Sequence, residues 1–328
     1  MAALLTRRRL LVTAGAATLG VVSRTRAASS VTMKVGYATG TSFYHHLGAE
    51  TFKQALESST GGRISVELYP TGQLGGESQI LEGLKVGTIE AYIGTCGALS
   101  NFVPELGLVD LPYLWRDNAQ AFGALDGPIG AKFAQAAPAK GFTLLGYWPA
   151  GRRDVYGNVK IEKPDDFHGV KIRTLQAPVF LATFKAFGAL PTPMAWPETY
   201  SALQQGVIDA SETALPAMLD ANQQEVVKYV SLTGHALTIA TITVATRWYT
   251  DLEPDLRQAI AEAEAKGRAR VLAADEQAFE NAITRLKAAG KLILSPDPAP
   301  FRTLVRQTIY PQFSDRFDPK VIKEITDS

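Results

Sequence analysis

Hydrophobic and polar positions follow strand-like and helix-like patterns in turn along the first third of the chain. Residues 33–37 alternate and predict a strand, and helical spacing over 44–55 predicts a helix after it. A second strand is predicted over 64–68, then a helix over about 77–86 and a strand over 89–93. Strands that alternate with helices predict an α/β fold with a largely parallel sheet.

Two segments repeat the order loop, helix, glycine, short hydrophobic strand, acid and alanine. The first leads from Pro70-Thr71 to residues 84–91, and the second from Pro191-Thr192 to residues 203–210. Each glycine suits the left-handed conformation that ends a helix. Either two βαβ units are alike by coincidence, or two similar α/β domains offer the same strand end to one cleft.

The longest helical pattern lies in the distal third of the chain. Hydrophobic and small residues recur at helical spacing from Leu256 to Leu286, after Pro254 and before Gly290. At roughly 30 residues this helix exceeds the usual globular length, and we expect it to run along both domains as a common spine. A last helix is predicted near residues 301–313.

Charge is distributed unevenly over the 328 residues. Residues 1–28 contain five arginines and no acid, so five of the 33 basic residues lie there and 28 remain against 32 acidic residues, a charge of −4. The segment joins a basic start, a hydrophobic stretch over 10–22 and a small-residue site near 25–28, which is typical of an export signal. Its paired arginines suit the twin-arginine type. We expect a soluble periplasmic protein after cleavage, and an ordinary N-terminal helix is the alternative.

Composition and motifs exclude several classes of protein. Cys96 is the single cysteine, so neither an intramolecular disulfide nor an all-cysteine metal site can form. The sequence has no GxSxG, HExxH, P-loop or strand-associated GxGxxG motif, so we expect no enzyme, no cofactor and no metal. With a charge of −4 and no basic stripe, nucleic-acid binding is not expected.

Basic residues occur at two predicted strand ends. Arg152 and Arg153 follow a strand predicted over 142–148, and Lys171 and Arg173 alternate in a short strand. For a single arginine a surface salt bridge is the default interpretation. Two arginines at strand ends within a cleft would instead form a carboxylate clamp, because the planar guanidinium binds carboxylate through two parallel hydrogen bonds.

Six motifs occur in a fixed order along the chain, at residues 69–76, 84–90, 151–153, 169–173, 191–194 and 198–209. In this order and spacing they resemble the periplasmic solute-binding proteins of tripartite ATP-independent periplasmic (TRAP) transporters of the DctP type. The resemblance extends over essentially the whole chain after the leader.

The resemblance implies an α/β fold of the two-domain periplasmic-binding-protein type, with a hinge and a long spanning helix. Residues 1–28 are then the export signal, domain I comprises 29–150 with about 239–278, and domain II comprises 151–238 with about 279–328. It also implies a monomer that captures a small organic acid between the domains and delivers it to the small and large TRAP membrane subunits.

The resemblance also implies roles for individual residues. Arg173 is expected to pair with the ligand carboxylate as the main selectivity filter, and Arg153 matches the second basic contact. Thr213, after Glu212, stands where some members have asparagine, and Thr95 lies where some have an acid. Three aromatic residues are further candidates for the pocket wall, with plain packing as the alternative: Trp148, Trp196 and Phe43.

Two other functions remain open from the sequence. The same fold can pass its ligand to a sensor kinase instead of a permease. A secreted α/β hydrolase or lyase would use Glu212 or Asp209 with a histidine, but it lacks a nucleophile motif and a placed base. The ligand is open among C4-dicarboxylates, keto or hydroxy acids, sugar acids and aromatic acids.

Overall fold

The computed structural model describes residues 30–327, and their strands form one nine-stranded mixed sheet. The export signal predicted over 1–28 lies outside the described residues. The strands are β1 (Val31–Gly36), β2 (Ile64–Tyr69), β3 (Ala91–Thr95), β4 (Phe142–Gly157), β5 (Lys171–Thr174), β6 (Leu190–Pro193), β7 (Ala210–Ala214), β8 (Tyr229–Ala245) and β9 (Leu292–Leu294). Their order is β2-β1-β3-β8-β4-β7-β5-β6, with β9 paired to β8.

Helices pack against this sheet. They are α1 (Tyr44–Ser59), α2 (Glu77–Val86), α3 (Cys96–Leu99), α4 (Asn118–Leu125), α5 (Pro128–Ala136), α6 (Pro178–Ala186), α7 (Thr199–Gln204), α8 (Leu215–Asp220), α9 (Thr246–Asp251), α10 (Pro254–Ala288), α11 (Pro298–Gln312) and α12 (Pro319–Asp327). Within residues 30–327, none of the helices combines the length and the hydrophobicity that crossing a membrane would require.

The long strands β4 and β8 connect two halves of the sheet. In the first half β1 pairs in parallel with β2 and β3, and in the second half β5 pairs in parallel with β6 and β7. The antiparallel ladder between β4 and β8 changes register between Pro149 and Arg152. This irregularity lies next to the predicted boundary near residue 150, and the division into two domains stays a prediction.

The α/β fold is confirmed, but the expectation of a largely parallel sheet is wrong at its centre. There β3 pairs with β8, β8 with β4 and β4 with β7, all antiparallel. The strand predicted over 142–148 continues to Gly157, and no strand was predicted at β8. Most residues of both strands are buried, so the alternation that marks a half-exposed strand is missing.

The predicted long helix is the 35-residue α10, which contacts α1 in the first half and α8 in the second. Pro254 occupies its first turn, where the missing N–H costs nothing, and Gly290 follows its end at a φ of 71°. At Gly267 a Cβ atom would lie 3.0 Å from the Gly48 carbonyl oxygen. This glycine therefore lets α10 approach α1 closely along the spine of the molecule.

Candidate functional site

A cavity of about 50 Å³ lies between the two halves of the sheet. Both halves contribute to its wall, with Thr39, Phe43, Glu77 and Thr95 from the first and Arg153 and Thr213 from the second. Such a position suits a ligand site, because the carboxyl ends of parallel strands meet there.

The two repeated segments bring corresponding strand ends to this cavity. Gly87 ends α2 at a φ of 81° and Gly206 follows α7 at a φ of 69°, and each is followed by a short strand. Thr95 is the last residue of β3, and its hydroxyl oxygen accepts a hydrogen bond from the Ala98 amide at 3.3 Å. Thr213 lies near the end of β7, directly before α8.

Arg153 is almost completely buried on β4, and Glu212 on β7 compensates its charge. Its Nη2 donates to Glu212 Oε1 at 2.8 Å and to the Glu212 carbonyl oxygen at 2.9 Å. Its Nε donates to Glu212 Oε2, and Nη1 donates to the Thr238 hydroxyl at 3.3 Å. The guanidinium also lies 4.8 Å from the ring centroid of Phe180. Every nitrogen of this guanidinium is therefore bonded within the protein.

Glu212 is fully buried and has further partners of its own. His235 Nε2 lies 3.2 Å from its Oε2, and the Leu175 amide donates to its Oε1 at 3.3 Å. Burial alone would raise the pKa of Glu212, but the Arg153 charge and the hydrogen bonds from His235 and Arg153 outweigh it and lower the pKa to about 2. Glu212 is thus ionised at neutral pH and lies behind Arg153, outside the cavity wall.

Arg173 on β5 is 1% exposed, against 3% for Arg153, but its surroundings differ. Its Nε and Nη2 both donate to the Met194 carbonyl oxygen, at 3.1 and 2.8 Å, and the guanidinium lies 5.3 Å from the Trp196 ring centroid. Among residues 30–327 no carboxylate lies within salt-bridge distance of it. Burial lowers the pKa of Arg173, and Glu77, at longer range, opposes that shift.

The three predicted aromatic residues lie in different places. Phe43 is part of the cavity wall, and Trp196 lies against Arg173. Trp148 lies in the core, where its Nε1 donates to Glu264 Oε1 at 2.9 Å and its ring packs on Gly48 and Gly267. Trp148 is therefore a packing residue of the core and is not part of the cavity wall.

Several residues around the cavity were not identified from the sequence. The buried Thr39 hydroxyl has no hydrogen-bond partner among residues 30–327, and the Glu77 carboxylate lies in the cavity wall. Thr39 follows the end of β1, so the rule that ligands bind beyond the carboxyl ends of parallel strands would have indicated it. His235 had no such signal, because its contact with Glu212 depends on the pairing of distant strands.

Hydrogen bonds also join the two halves beside the cavity. Asp220, at the end of α8, accepts from the Gly40 amide at 2.5 Å and from the Ser42 amide and hydroxyl at 3.1 and 2.6 Å. Gly40 and Ser42 belong to the loop before α1 in the first half. Asp220 therefore fastens the second half to the first in the present arrangement.

The cavity wall thus offers threonine hydroxyl groups, Glu77 and the paired Arg153. Arg173, the buried cation without an acidic partner among residues 30–327, lies on β5 and is not among the residues that line the cavity. Within the described part of the chain, no three His, Cys, Asp or Glu residues are grouped so that they could hold a metal ion. This set of groups can recognise an anion that also carries hydroxyl groups.

Comparison with known proteins identifies a family. The model of the family described as bacterial extracellular solute-binding protein, family 7 (DctP), matches residues 35–315. The 2,3-diketo-L-gulonate-binding periplasmic protein YiaO of Escherichia coli K12 is 32% identical over 274 residues, which cover 83% of each chain. The C4-dicarboxylate-binding periplasmic protein DctP of Rhodobacter capsulatus is 30% identical, with 88% of this chain and 87% of that protein covered.

Solved structures of TRAP periplasmic solute-binding proteins share the fold. One from Bordetella bronchispeptica, with density attributed to pantoate, has a TM-score of 0.87 at 35% identity and covers 91% of this chain and 99% of that one. One from Polaromonas sp JS666, bound to D-erythronate, has a TM-score of 0.87 at 32% identity and covers 90% and 98%.

Proposed function

Because the chain belongs to family 7 of the bacterial extracellular solute-binding proteins, the binding subunits of TRAP transporters, we propose that its cleft binds a small hydroxylated monocarboxylic acid. The observation that carries this proposal is Arg173, a buried guanidinium without a carboxylate partner among residues 30–327. Burying a ligand carboxylate is costly unless it is paired and hydrogen-bonded, and Arg173 supplies that pairing.

The charges around the cavity favour one carboxylate over two. Glu212 already compensates Arg153, so Arg173 is the cation that remains for a ligand. A second ligand carboxylate would have no cation of its own and would approach Glu77 in the wall. Like charges at short range disfavour each other, so dicarboxylates are expected to bind more weakly.

The hydroxyl groups of the wall suit hydroxyl groups on the ligand. Four threonines line the cavity: Thr39, Thr95, Thr213 and Thr238. A buried hydroxyl without a partner costs free energy, and a ligand hydroxyl would satisfy the one on Thr39. The relatives whose structures hold D-erythronate or density attributed to pantoate take acids of this kind, which supports the assignment.

We infer that ligand binding and closure of the two halves are coupled. A ligand that contacts Arg173 in one half and Thr39 in the other binds the closed arrangement better than an open one and shifts the population toward it. The hydrogen bonds from Gly40 and Ser42 to Asp220 stabilise the same arrangement. Asp220→Ala is therefore expected to weaken ligand affinity several-fold, although the residue does not line the cavity.

Delivery to small and large TRAP membrane subunits and export through residues 1–28 complete the proposal. Uptake of radiolabelled ligand into vesicles that contain the two membrane subunits should require this protein. If the vesicles take up ligand equally well without it, transfer to a sensor kinase becomes the better explanation.

N-terminal sequencing of the periplasmic protein tests whether residues 1–28 are removed as an export signal. Replacing Arg8 and Arg9 with lysine should block twin-arginine export.

A thermal-shift screen of matched acids tests the ligand class. D-erythronate, pantoate and galactonate represent hydroxylated monocarboxylates, succinate and malate represent dicarboxylates, and the corresponding amides remove the charge. A ligand at 100 times its dissociation constant stabilises the folded state by about 2.7 kcal/mol. Stabilisation by a monocarboxylate but not by its amide is expected, whereas tighter binding of a dicarboxylate would contradict the proposal.

A further inference from the structure

A larger pocket, of about 380 Å³, lies on the opposite face of β4 from the cleft. Arg152 contributes to it, whereas Arg153 contributes to the cleft cavity. Neighbouring residues on a strand point to opposite faces, so the two sites lie back to back. The other walls come from the segment 113–116, from β8, from α11, from one position on α4 and from the end of α12. We call the site the α11 pocket.

The wall of the α11 pocket is strongly basic. Four arginines line it, namely Arg116, Arg152, Arg302 and Arg306, and no aspartate or glutamate is among the described residues that do so. Arg302 and Arg306 lie one turn apart on α11, so their side chains share a helix face. This concentration of positive charge contrasts with the −4 carried by the chain after residue 28.

Acidic residues next to the pocket offset only part of this charge. Arg152 Nε lies 3.8 Å from Asp154 Oδ2, and its guanidinium stacks 4.4 Å from the Phe279 ring centroid. Arg116 Nε donates to Asp117 Oδ2 at 2.9 Å. Arg302 lies over the Tyr113 ring at 5.5 Å, and neither it nor Arg306 has a carboxylate within salt-bridge distance among residues 30–327.

We propose that the α11 pocket binds a small oxyanion with two or more negative charges, such as a phosphate, a diphosphate or a polycarboxylate. Guanidinium groups match the oxygen geometry of phosphate and carboxylate, and several of them around one space favour a multiply charged group. The volume lies within the usual range for small-ligand pockets. The Tyr113 hydroxyl donates a hydrogen bond to the Thr233 carbonyl oxygen, and the Tyr310 hydroxyl donates to that of Pro112. The rings of both tyrosines therefore form flat parts of the pocket wall.

Calorimetric titration at low ionic strength tests this site, because salt screens exposed charges. The probes are inorganic phosphate, pyrophosphate and citrate, with acetate as the singly charged reference. The variant Arg302→Gln/Arg306→Gln removes two charges from the pocket. The matched control Arg285→Gln/Arg316→Gln removes two exposed arginines elsewhere. Arg173→Leu leaves the α11 pocket intact and disables the cleft.

At least one multiply charged probe should bind the wild type, with acetate at least about tenfold weaker. The pocket variant should lose about tenfold or more in affinity for that probe, while the control variant and Arg173→Leu retain it. Which probe binds best separates inorganic phosphate from diphosphates and polycarboxylates.

Three results with these small probes and variants would overturn the proposal. They are no binding of any of the three multiply charged probes, equal affinity in the pocket and control variants, or loss of binding in Arg173→Leu alone. An oligoglutamate peptide that binds the wild type more tightly than every small probe would also overturn it and would identify a protein-docking surface. None of these results tests ligand binding in the cleft, which the thermal-shift screen of monocarboxylates and dicarboxylates tests separately.

Discussion

Arg153 on β4 and Arg173 on β5 are both buried, but their guanidinium groups have different partners. Around Arg153, Glu212, Thr238 and the Glu212 carbonyl group satisfy every guanidinium nitrogen. Around Arg173, one carbonyl oxygen accepts two hydrogen bonds and an aromatic ring lies beside the charge. Burial lowers the pKa of Arg173, whereas Glu212 outweighs burial and raises that of Arg153.

From this difference we expect Arg153 to be a structural cation and Arg173 to be the cation that binds the ligand. An ion pair that is complete within the protein holds two strands together and has little left for a ligand. A buried cation that lacks its counterion is costly, so an anionic ligand that supplies the missing charge gains affinity from it. Of the carboxylate clamp predicted from the sequence, we therefore expect only Arg173 to bind the ligand, because Arg153 in the cavity wall is already paired with Glu212.

The largest expected effect on stability comes from breaking the Arg153 pair. Glu212→Gln leaves the Arg153 charge buried without a counterion and should lower the free energy of unfolding by about 3–5 kcal/mol. Denaturant unfolding measures the loss, and the exposed Glu276→Gln is the matched control. A loss below about 1 kcal/mol would mean that Glu212 does not compensate the buried charge of Arg153.

Replacing both partners should restore much of that loss. In Arg153→Met/Glu212→Leu no buried charge is left unpaired, and hydrophobic replacements of buried ion pairs are often neutral or stabilising. The same denaturant curves should therefore place the double variant above Glu212→Gln. If the double variant is the less stable of the two, the destabilisation comes from lost packing and not from an unpaired charge.

Acid should weaken the protein through the same pair. The pKa of Glu212 is lowered to about 2, so the folded state holds its proton less tightly than the unfolded chain does. The resulting stability is complete above about pH 4.5 and is lost as the pH falls towards 2, where each tenfold difference in proton affinity between the two states contributes about 1.4 kcal/mol. Unfolding curves from pH 5 to 2.5 should converge for wild type and Glu212→Gln, and parallel curves would contradict this.

Asp110 should show the opposite pH dependence. Both its oxygens are buried without partners among residues 30–327, and burial raises its pKa to about 8 although Arg153 partly opposes the shift. The folded state therefore binds the extra proton, and stability declines as the pH rises from about 4 to 8. Asp110→Asn should match wild type near pH 4.5 and exceed it by up to a few kcal/mol near pH 8. Equal stability at both pH values would show that Asp110 does not titrate in this range.

The smallest effect is expected at the aromatic neighbour of Arg173. Trp196→Leu removes the ring that lies 5.3 Å from the guanidinium, and such contacts contribute about 0.5–2 kcal/mol. Ligand affinity should fall by roughly two- to thirtyfold, with the preference for acid over amide retained. Calorimetry of both ligands measures this, and a lost preference would assign charge recognition to Trp196 itself.

Local sequence signals were sufficient to predict the helices α2 and α10. The helix α2 was predicted with its observed bounds, and Pro254 and Gly290 bracketed α10, because proline and glycine act on the backbone directly. The strand predicted over 89–93 begins two residues later, at Ala91. The second half of β4 and the whole of β8 were not predicted because buried strands lack alternation, and the antiparallel pairing of the two strands depends on tertiary contacts.

The same limit applies to the site. Arg153, Arg173 and Glu212 were identified as chemically important, but their pairing depends on β4 lying beside β7, which brings Val155 opposite Glu212. A sequence shows that arginines and acids are present and cannot show which of them neutralise each other. Because Glu212 neutralises Arg153 and no acid among residues 30–327 neutralises Arg173, the ligand we expect narrows from any organic acid to one with a single carboxylate.

Calorimetric titration of wild type and Arg173→Leu with one hydroxylated monocarboxylate and its amide tests most directly whether Arg173 is the binding cation. Lys171→Leu, which removes an exposed cation from the same strand, is the control. Arg173→Leu should bind the acid roughly 30-fold to several thousand-fold more weakly, equivalent to about 2–5 kcal/mol, and should no longer distinguish it from the amide. Undiminished binding of the acid by a folded Arg173→Leu variant would contradict that role.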